Sequence, residues 1–172
     1  MTDSPMISMY QASVPVFARA LGNLAHILGK GAAHAEARKI DPAVLLNSRL
    51  YPDMFALTRQ VQIASDAAKG CVARLAGIEP PKYEDTEATF AELDARVQKT
   101  IAFIKTFKPE QIDGSERRAI VLKTPRGDMN FQGLGYLQGF AIPNLYFHIT
   151  TTYAILRHSG VELGKMDYIG QP

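Results

Sequence analysis

The chain has 172 residues, of which 47% are hydrophobic and 21% charged, and its formal net charge is +2. This composition indicates a single domain over residues 1–172 with a substantial core, and it excludes the dense basic surface that nucleic-acid binding requires. The one cysteine, Cys71, excludes an internal disulfide. No basic, apolar leader opens the sequence, so we expect a cytoplasmic protein.

After a short tail at residues 1–6, a first helix is predicted from Ser8 onward. Its apolar residues recur at alternating spacings of four and three, which places Tyr10, Val14, Phe17, Leu21, Leu24 and Leu28 on one face. Pro15 lies early enough to fit the first turns or else kinks the helix there. Residues 32–39 carry the helix on, and Asp41-Pro42 ends it.

A second helix is predicted to open at Pro52-Asp53, with Asp53 as its N-cap. Its apolar stripe consists of Leu57, Val61, Ala64, Ala68, Cys71 and Leu75. Arg59, Gln62, Asp66 and Lys69 form a separate polar face. Gly77, followed by two prolines, marks the end of the helix.

A third helix is predicted to begin near Asp85 or Thr86. The acids Glu84, Asp85 and Glu87 would complement the positive end of its dipole. Its buried stripe is Phe90, Leu93, Val97, Ile101 and Ile104, and Pro109 marks its end.

The periodicity then changes between Ser115 and Gly133. AIVLK (119–123) and DMNFQ (128–132) flank Thr124-Pro125-Arg126-Gly127, which is typical of a β-hairpin with a short turn. The Arg-Gly-Asp triplet at 126–128 is interpreted as part of that turn. We expect the hairpin, at about 119–132, to pack across one end of the helices.

A fourth helix is predicted from 133–136 to about His158. Pro143 either kinks it or opens a separate helix. Residues 140–156 carry no charge, but an amide, hydroxyls and a histidine make a buried helix the better interpretation than a membrane span. The tail from 161 is expected to be ordered in part, with Tyr168 and Ile169 against the body. Four long helices and one hairpin predict an all-α four-helix bundle with a hairpin inserted before the fourth helix.

His148 is the main candidate for chemistry, because it is an imidazole among apolar residues with Asn144 and Thr152 one turn away on either side. Such a group can be a metal ligand, a general base or a hydrogen-bonding partner for a substrate. It can equally be a core histidine tied to a neighbouring polar group. The apolar neighbours of Cys71 predict a buried, inert thiol.

The segment NLYFH (144–148), followed by Leu156-Arg157 and Gly160, resembles the last helix of DinB-like proteins, the damage-inducible protein B superfamily. SMYQASVPVF (8–17), PDMFALTRQVQIASD (52–66) and PNLYFHITTTYAILRHSGVELGK (143–165) resemble more narrowly a branch known only as a domain of unknown function. The resemblance spans nearly the whole chain and implies a DinB-like four-helix bundle.

The resemblance also implies a site of three histidines, one from helix two and two from helix four. His148 matches the second position of helix four, whereas Asn144 stands at the first. Gln60 stands at the helix-two position, with Gln62 as the alternative register. Amide oxygens are weak ligands for zinc or nickel, so we expect no tightly held cofactor, although His148 with Gln60 and Asn144 remains the candidate metal set.

Three functions therefore stay open. The first is a polar pocket of Gln60, Asn144 and His148, with Tyr10 or Tyr153, that binds a small molecule. The second is a metal-dependent enzyme of the thiol transferase or hydrolase type that uses His148. The third is a structural or dimerisation protein whose polar residues only fix helix register. We expect a homodimer, with no nucleic-acid or membrane partner.

Overall fold

The fold is mostly helical, with one small antiparallel hairpin, in a computed structural model that describes residues 6–171. The predicted tail at 1–6 thus falls, apart from Met6, outside the described residues. In chain order the elements are α1 (Val14–Arg38), α2 (Pro42–Leu46), α3 (Leu57–Leu75), α4 (Phe90–Ile104), α5 (Pro109–Ile112), β1 (Ala119–Thr124), β2 (Gly127–Gln132), α6 (Gly133–Tyr136), α7 (Ile142–His158) and α8 (Lys165–Ile169).

The four long helices are α1, α3, α4 and α7, and they enclose one hydrophobic core. Helix α3 packs against both α4 and α7, and α1 packs closely against α4 and also contacts α7. The predicted apolar stripes face inward: Phe17, Leu21 and Leu24 on α1 are fully buried, as is the whole stripe of α3. The burial of these side chains from water is the main force that holds the four helices together.

Helix α1 begins later than expected. Residues 9–13 form turns rather than helix, and the first helical residue is Val14. Pro15 therefore lies in the first turn, where its missing N–H costs no helical hydrogen bond, so it does not kink the helix. The helix ends at Arg38, and Lys39 closes it in a left-handed conformation.

The prediction that Asp53 caps the second long helix was wrong. Helix α3 starts at Leu57, and its N-cap is Ala56, which offers no side-chain acceptor. Asp41 is instead a true cap, because its carboxylate accepts from the Ala43 N–H at 3.0 Å and opens the short helix α2. At the other end, Gly77 has φ of 75°, which explains why glycine follows the last turn of α3.

Helix α4 starts at Phe90, so the predicted start at Asp85 or Thr86 was also wrong. Thr89 accepts from the backbone of Glu92, and the Glu92 carboxylate accepts from the backbone of Thr89. This reciprocal capping box satisfies the exposed N–H groups of the first turn. Pro109 does not end α4, which stops at Ile104, but opens the short helix α5.

The hairpin was predicted correctly. Strands β1 and β2 pair antiparallel from Ala119 with Gln132 to Thr124 with Gly127, which leaves Pro125 and Arg126 in the turn. Ile120 and Leu122 are buried, whereas Val121 between them is exposed, as the alternation of a strand requires. Phe131 packs against the aromatic rings of Tyr136 and Phe140 and so joins the hairpin to the following helix.

From Gly133 to His158 the backbone stays helical, as one of the two sequence interpretations proposed. Residues 137–141 form a π-helical segment between α6 and α7, directly before Pro143 in the first turn of α7. Proline cannot donate to the carbonyl one turn earlier, and a π segment is a common way for a helix to absorb that loss. Within residues 6–171, no helix has both the length and the apolar character that a membrane crossing needs.

The C-terminal helix α8 lies against α1, as expected for Tyr168 and Ile169. Asp167 accepts a hydrogen bond from His26 at 2.8 Å and forms an ion pair with Lys30 at 3.0 Å, both on α1. The Tyr168 hydroxyl accepts from Thr150 at 2.8 Å, which ties α8 to α7 as well.

Candidate functional site

His148 and Gln60 meet in the core between α7 and α3. The Nδ1 atom of His148 lies 2.6 Å from Oε1 of Gln60, and 88 residues of chain separate the two. His148 is 8% exposed and Gln60 is 1% exposed. The fold thus brings His148 into direct contact with Gln60, the glutamine that the family spacing identified. Gln62, the alternative position, donates instead to Glu87.

A second hydrogen bond fixes which atom of the Gln60 amide faces the imidazole. Nε2 of Gln60 donates to the carbonyl oxygen of Phe55 at 3.0 Å. A carbonyl only accepts, so the amide nitrogen must face Phe55 and the amide oxygen must face His148. His148 Nδ1 therefore carries the proton and donates to Gln60, which assigns the tautomer from the hydrogen-bond network.

Nε2 of His148 is consequently an unprotonated acceptor. It has no hydrogen-bond partner among residues 6–171. The side-chain atoms of these residues that are both unpaired and fully buried are Ser65 Oγ, Arg96 Nε and Ser115 Oγ, and Nε2 of His148 is not one of them. The atom therefore keeps some contact with solvent. A buried imidazole thus presents one lone pair outward.

Burial and, as the smaller cause, the positive charge of Arg59 together lower the pKa of His148 to about 4. Both effects disfavour the imidazolium ion. The ring is therefore neutral at pH 7. It can accept a hydrogen bond or a proton from a bound molecule, but it does not itself carry a positive charge.

The other predicted pocket residues differ in their surroundings. Asn144 is half-buried one turn before His148, and its side chain makes no hydrogen bond to any described residue. Tyr153 has its hydroxyl 3.5 Å from the carbonyl of Leu163 and its ring against Tyr168. Tyr10 lies at the start of the chain's first turns, where its backbone N–H bonds Asp113. Neither tyrosine hydrogen-bonds to His148.

An apolar cavity of about 420 Å³ lies beside the site, between the segment at 50–54 and α7. Phe147 forms part of its wall, and the Phe147 ring also packs edge-on against the His148 imidazole at 5.1 Å. Thr151 and Met54 line the same cavity. His148 therefore contacts a residue of the cavity wall, Phe147, but does not itself line the cavity.

The residues present do not suit the metal that DinB-like proteins imply. Of the three matched positions, only His148 is an imidazole, and the amide of Gln60 is committed on both sides to His148 and Phe55. The Gln60 oxygen is a weak, neutral ligand that already accepts the 2.6 Å bond from Nδ1. Among the described residues, no group of three or more histidines, cysteines or acids is placed to hold a metal ion.

A second polar cluster, which we call the Arg96 network, was missed in the sequence. Arg96 of α4 is buried, its Nη2 lies 3.0 Å from both Asp66 and Asp85, and its Nη1 lies 3.0 Å from Glu87. Although burial alone would raise it, hydrogen bonds from Arg96 and Gln62 hold the pKa of Glu87 below its ordinary value.

The Arg96 network holds the connection between α3 and α4 against both helices. Nζ of Lys69 lies 2.9 Å from Asp66 and 3.8 Å from the centre of the Tyr83 ring. The polar face predicted for α3 is therefore covered by this connection rather than by water alone, and Gln62 and Lys69 are buried. Of the acids predicted to serve a helix dipole, Asp85 and Glu87 instead pair with Arg96, and Asp85 also pairs with Arg59. Glu84 contributes its backbone carbonyl, which accepts from Arg96 at 3.0 Å.

Cys71 does not take part in either cluster. It is fully buried, and burial raises the pKa of its thiol well above the ordinary value. A protonated, enclosed thiol is a poor nucleophile. The sequence interpretation of an inert cysteine is consistent with this environment.

Comparison with known proteins identifies the family. Residues 9–169 match the model of a domain of unknown function, DUF1993. The crystal structure of a DinB family member protein from Shewanella denitrificans is similar at 45% sequence identity and a TM-score of 0.87, over 95% of this chain and 92% of that one. No curated protein matches. The chain therefore belongs to the DUF1993 family and is DinB-like in both sequence and fold.

Proposed function

We propose that the protein binds a small polar molecule at His148, without a tightly held catalytic metal. The observation that carries this proposal is the 2.6 Å bond from His148 Nδ1 to Gln60, because it leaves Nε2 as an unprotonated acceptor with no partner among the described residues. A buried imidazole held in one tautomer, with its second nitrogen open, suits recognition of a hydroxyl or amine donor. In this proposal α1, α3, α4 and α7 form the DinB-type four-helix bundle that supports the site.

The proposal is tested by titrating the purified protein with three small hydroxyl-bearing probes: L-lactate, lactamide and 1,2-propanediol. We expect at least one of them to shift the ¹⁵N resonance of His148 Nε2 saturably. Propionamide, which lacks the hydroxyl, should bind more weakly than lactamide. The proposal fails if none of the three hydroxyl-bearing probes shifts that resonance.

The matched variant is His148→Asn. The asparagine amide nitrogen takes the place of Nδ1 and can still donate to Gln60, but nothing replaces Nε2. We therefore expect His148→Asn to fold and to lose probe binding. Loss of binding with retained stability would separate recognition from a purely structural role.

A structural role is the second candidate, and one observation favours it. The His148–Gln60 bond is short and joins α3 to α7, so it can fix the register of these two helices. In that case neither the wild type nor His148→Asn would bind the probes, and His148→Asn, which keeps this bond, would be as stable as the wild type. Absence of probe binding by the wild type, together with a loss of stability when the bond is removed in Gln60→Leu, would support this second candidate over the first.

We also propose that the protein forms a homodimer through the apolar surface beside the cavity. Leu50 and Phe147 line the cavity, and Tyr51 and Phe55 flank its wall residue Met54 in the chain. All four are large hydrophobic side chains, each exposed by more than a third. Exposed apolar clusters of this kind are typical of protein contacts, and a second copy provides a matching surface by twofold symmetry. Sedimentation should give a dimer for the wild type and a monomer for Phe147→Glu, and a monomeric wild type would contradict the proposal.

A further inference from the structure

A second apolar cavity, of about 370 Å³, lies between α1, α7 and α8. It is separate from the pair described above, because neither His148 nor Gln60 lines it. Its apolar walls include Val16 and Ala20 of α1 and the buried Ile149 of α7. A concave, mostly apolar cavity with a few polar side chains in its wall is the usual form of a small-molecule site.

Helix α8 forms one wall of this cavity through Tyr168, which is fixed at three points. Its hydroxyl accepts from Thr150 at 2.8 Å, and its backbone carbonyl accepts from Asn23 at 2.9 Å. Its ring also packs edge-on against Tyr153, with 6.1 Å between the ring centres. The wall is therefore in place before a ligand arrives, which lowers the entropy cost of binding.

Arg19 places a positive charge in the wall of the same cavity. Its Nη2 donates to the backbone carbonyls of Ile169 and Gln171, at 3.3 and 3.1 Å. Within residues 6–171, its Nη1 and Nε make no hydrogen bond, and no carboxylate forms an ion pair with it. Neutral carbonyls thus hold the guanidinium in position without cancelling its charge. The cavity beside Phe147, in contrast, has no charged side chain in its wall.

The hydroxyl of Tyr146 is the second polar group of the wall without an internal partner. Tyr146 is half-buried, and its hydroxyl makes no hydrogen bond to any described residue. Burial and, after it, the neighbouring Tyr168 raise the pKa of Tyr146, and the positive charge of Arg19 opposes that rise. The phenol is therefore protonated at pH 7 and can donate a hydrogen bond beside the guanidinium.

A cation, a phenol donor and apolar walls around one cavity favour a ligand with an anionic end and an apolar body. We propose that this cavity binds a small monocarboxylate with a compact apolar body. Arg19 pairs with the carboxylate, Tyr146 donates to it, and the apolar body packs against Ile149 and the Tyr168 ring. The site does not involve His148, so it goes beyond the proposed function.

Three probes isolate the two parts of such a ligand. 3-Phenylpropionate has both the charge and the apolar body, 3-phenylpropionamide lacks the charge, and propionate lacks the ring. Because charge-assisted hydrogen bonds are about twice as strong as neutral ones, we expect 3-phenylpropionate to bind about tenfold more tightly than its amide. Propionate should bind more weakly than 3-phenylpropionate, since it buries less apolar surface. Titration of the full chain is followed at the Ile149 methyl groups and the Tyr168 amide.

The variant that tests the cation is Arg19→Met, and Arg19→Lys is its charge-retaining partner. Arg19→Met should lose the preference for 3-phenylpropionate over its amide. Arg19→Lys should fall between the two, because lysine keeps the charge but not the planar fork. The matched control is Arg126→Met, which removes an exposed arginine from the hairpin turn and should leave the preference intact.

Tyr146→Phe tests the phenol without disturbing the fold, because the hydroxyl has no internal partner to lose. It also covers the case in which Arg19→Met loosens α8, which Arg19 helps to hold. A hydrogen bond to a charged group is worth about 1.5–3 kcal/mol, so Tyr146→Phe should bind 3-phenylpropionate about tenfold more weakly. Unchanged binding by this variant would overturn the assignment of the phenol.

The outcomes also separate this site from the one at His148. His148→Asn should bind 3-phenylpropionate as tightly as the wild type does. Equal binding of 3-phenylpropionate and its amide by the wild type would overturn the proposal, as would a preference that survives in Arg19→Met. Resonance shifts confined to the ring of His148, with none at Ile149 or Tyr168, would equally overturn it.

Discussion

Two polar clusters that involve α3 differ in how their buried polar groups are paired. The Arg96 network on α3 and α4 places several carboxylates around one buried guanidinium. The His148–Gln60 pair on α7 and α3 carries no charge and consists of one interhelical bond. The charged cluster pairs three carboxylates with one guanidinium and leaves Arg96 Nε as a buried donor without a partner among the described residues, whereas the neutral pair leaves an acceptor open. The balance of opposite charges around Arg96 indicates a structural role, and an acceptor that is not fully buried indicates room for a ligand.

The largest effect is expected from Arg96→Met. The change leaves Asp66, Asp85 and Glu87 without their common cation at a partly buried site. Removing one partner of a buried ion cluster costs about 3 kcal/mol of unfolding free energy. Denaturant titration measures the loss. A change as small as that of an exposed ion pair would contradict the structural role given to this network.

The pH dependence of stability distinguishes the neutral pair. The native pKa of His148 is about 4 against an ordinary value of 6.5, so between these values the unfolded chain binds a proton that the native state does not. Stability therefore falls as pH decreases from 6.5 to 4, by up to roughly 3 kcal/mol from this group.

That contribution is isolated by comparing unfolding free energies of the wild type and His148→Asn across the same pH range. The variant has no group that titrates there at this position, so its stability should decline less steeply. Parallel pH profiles would mean that His148 titrates normally in the native state, which would contradict a neutral, buried ring.

Gln60→Leu should have a smaller effect on stability. It leaves the Phe55 carbonyl and the His148 Nδ1–H without their partners, which costs about 1–3 kcal/mol. Gln60→Glu separates the two bonds, since a carboxylate still accepts from Nδ1 and should raise the pKa of His148 but cannot donate to the Phe55 carbonyl. A leucine variant as stable as wild type would show that this bond contributes nothing to helix packing.

The smallest effect is expected from Lys99→Met. Nζ of Lys99 lies 4.2 Å from the centre of the Tyr83 ring, beside Arg96, but the lysine is exposed. Exposed cation–π contacts contribute about 0.5–1 kcal/mol. Thermal unfolding of this variant next to Arg96→Met therefore shows whether burial, rather than positive charge alone, decides the contribution of each cation.

The predictions from sequence succeeded where local periodicity decides the outcome. The stripe from Leu57 to Leu75 and the hairpin followed from burial and turn chemistry within one element. Helix starts failed because they depend on competing partners. Asp85 looked like a dipole acid, yet it is held by Arg96 from a different helix, and the Thr89–Glu92 capping box was the overlooked local signal.

The sequence predicted the residues of the site only at the positions that the family spacing identifies. Spacing selected Gln60, Asn144 and His148, and the structure joins two of them directly. Arg59 was assigned to a polar face because periodicity cannot show that the connection between α3 and α4 folds back over that face. Tyr10 and Tyr153 remain predictions, since their contacts in the fold are with Asp113, Leu163 and Tyr168.

The central claim is that His148 is neutral, with its proton on Nδ1 and an open lone pair on Nε2. The most direct measurement is the pair of ¹⁵N chemical shifts of the His148 ring in the free protein at pH 7. The account predicts a protonated Nδ1 and an unprotonated Nε2. A proton on Nε2, or on both nitrogens, would contradict it.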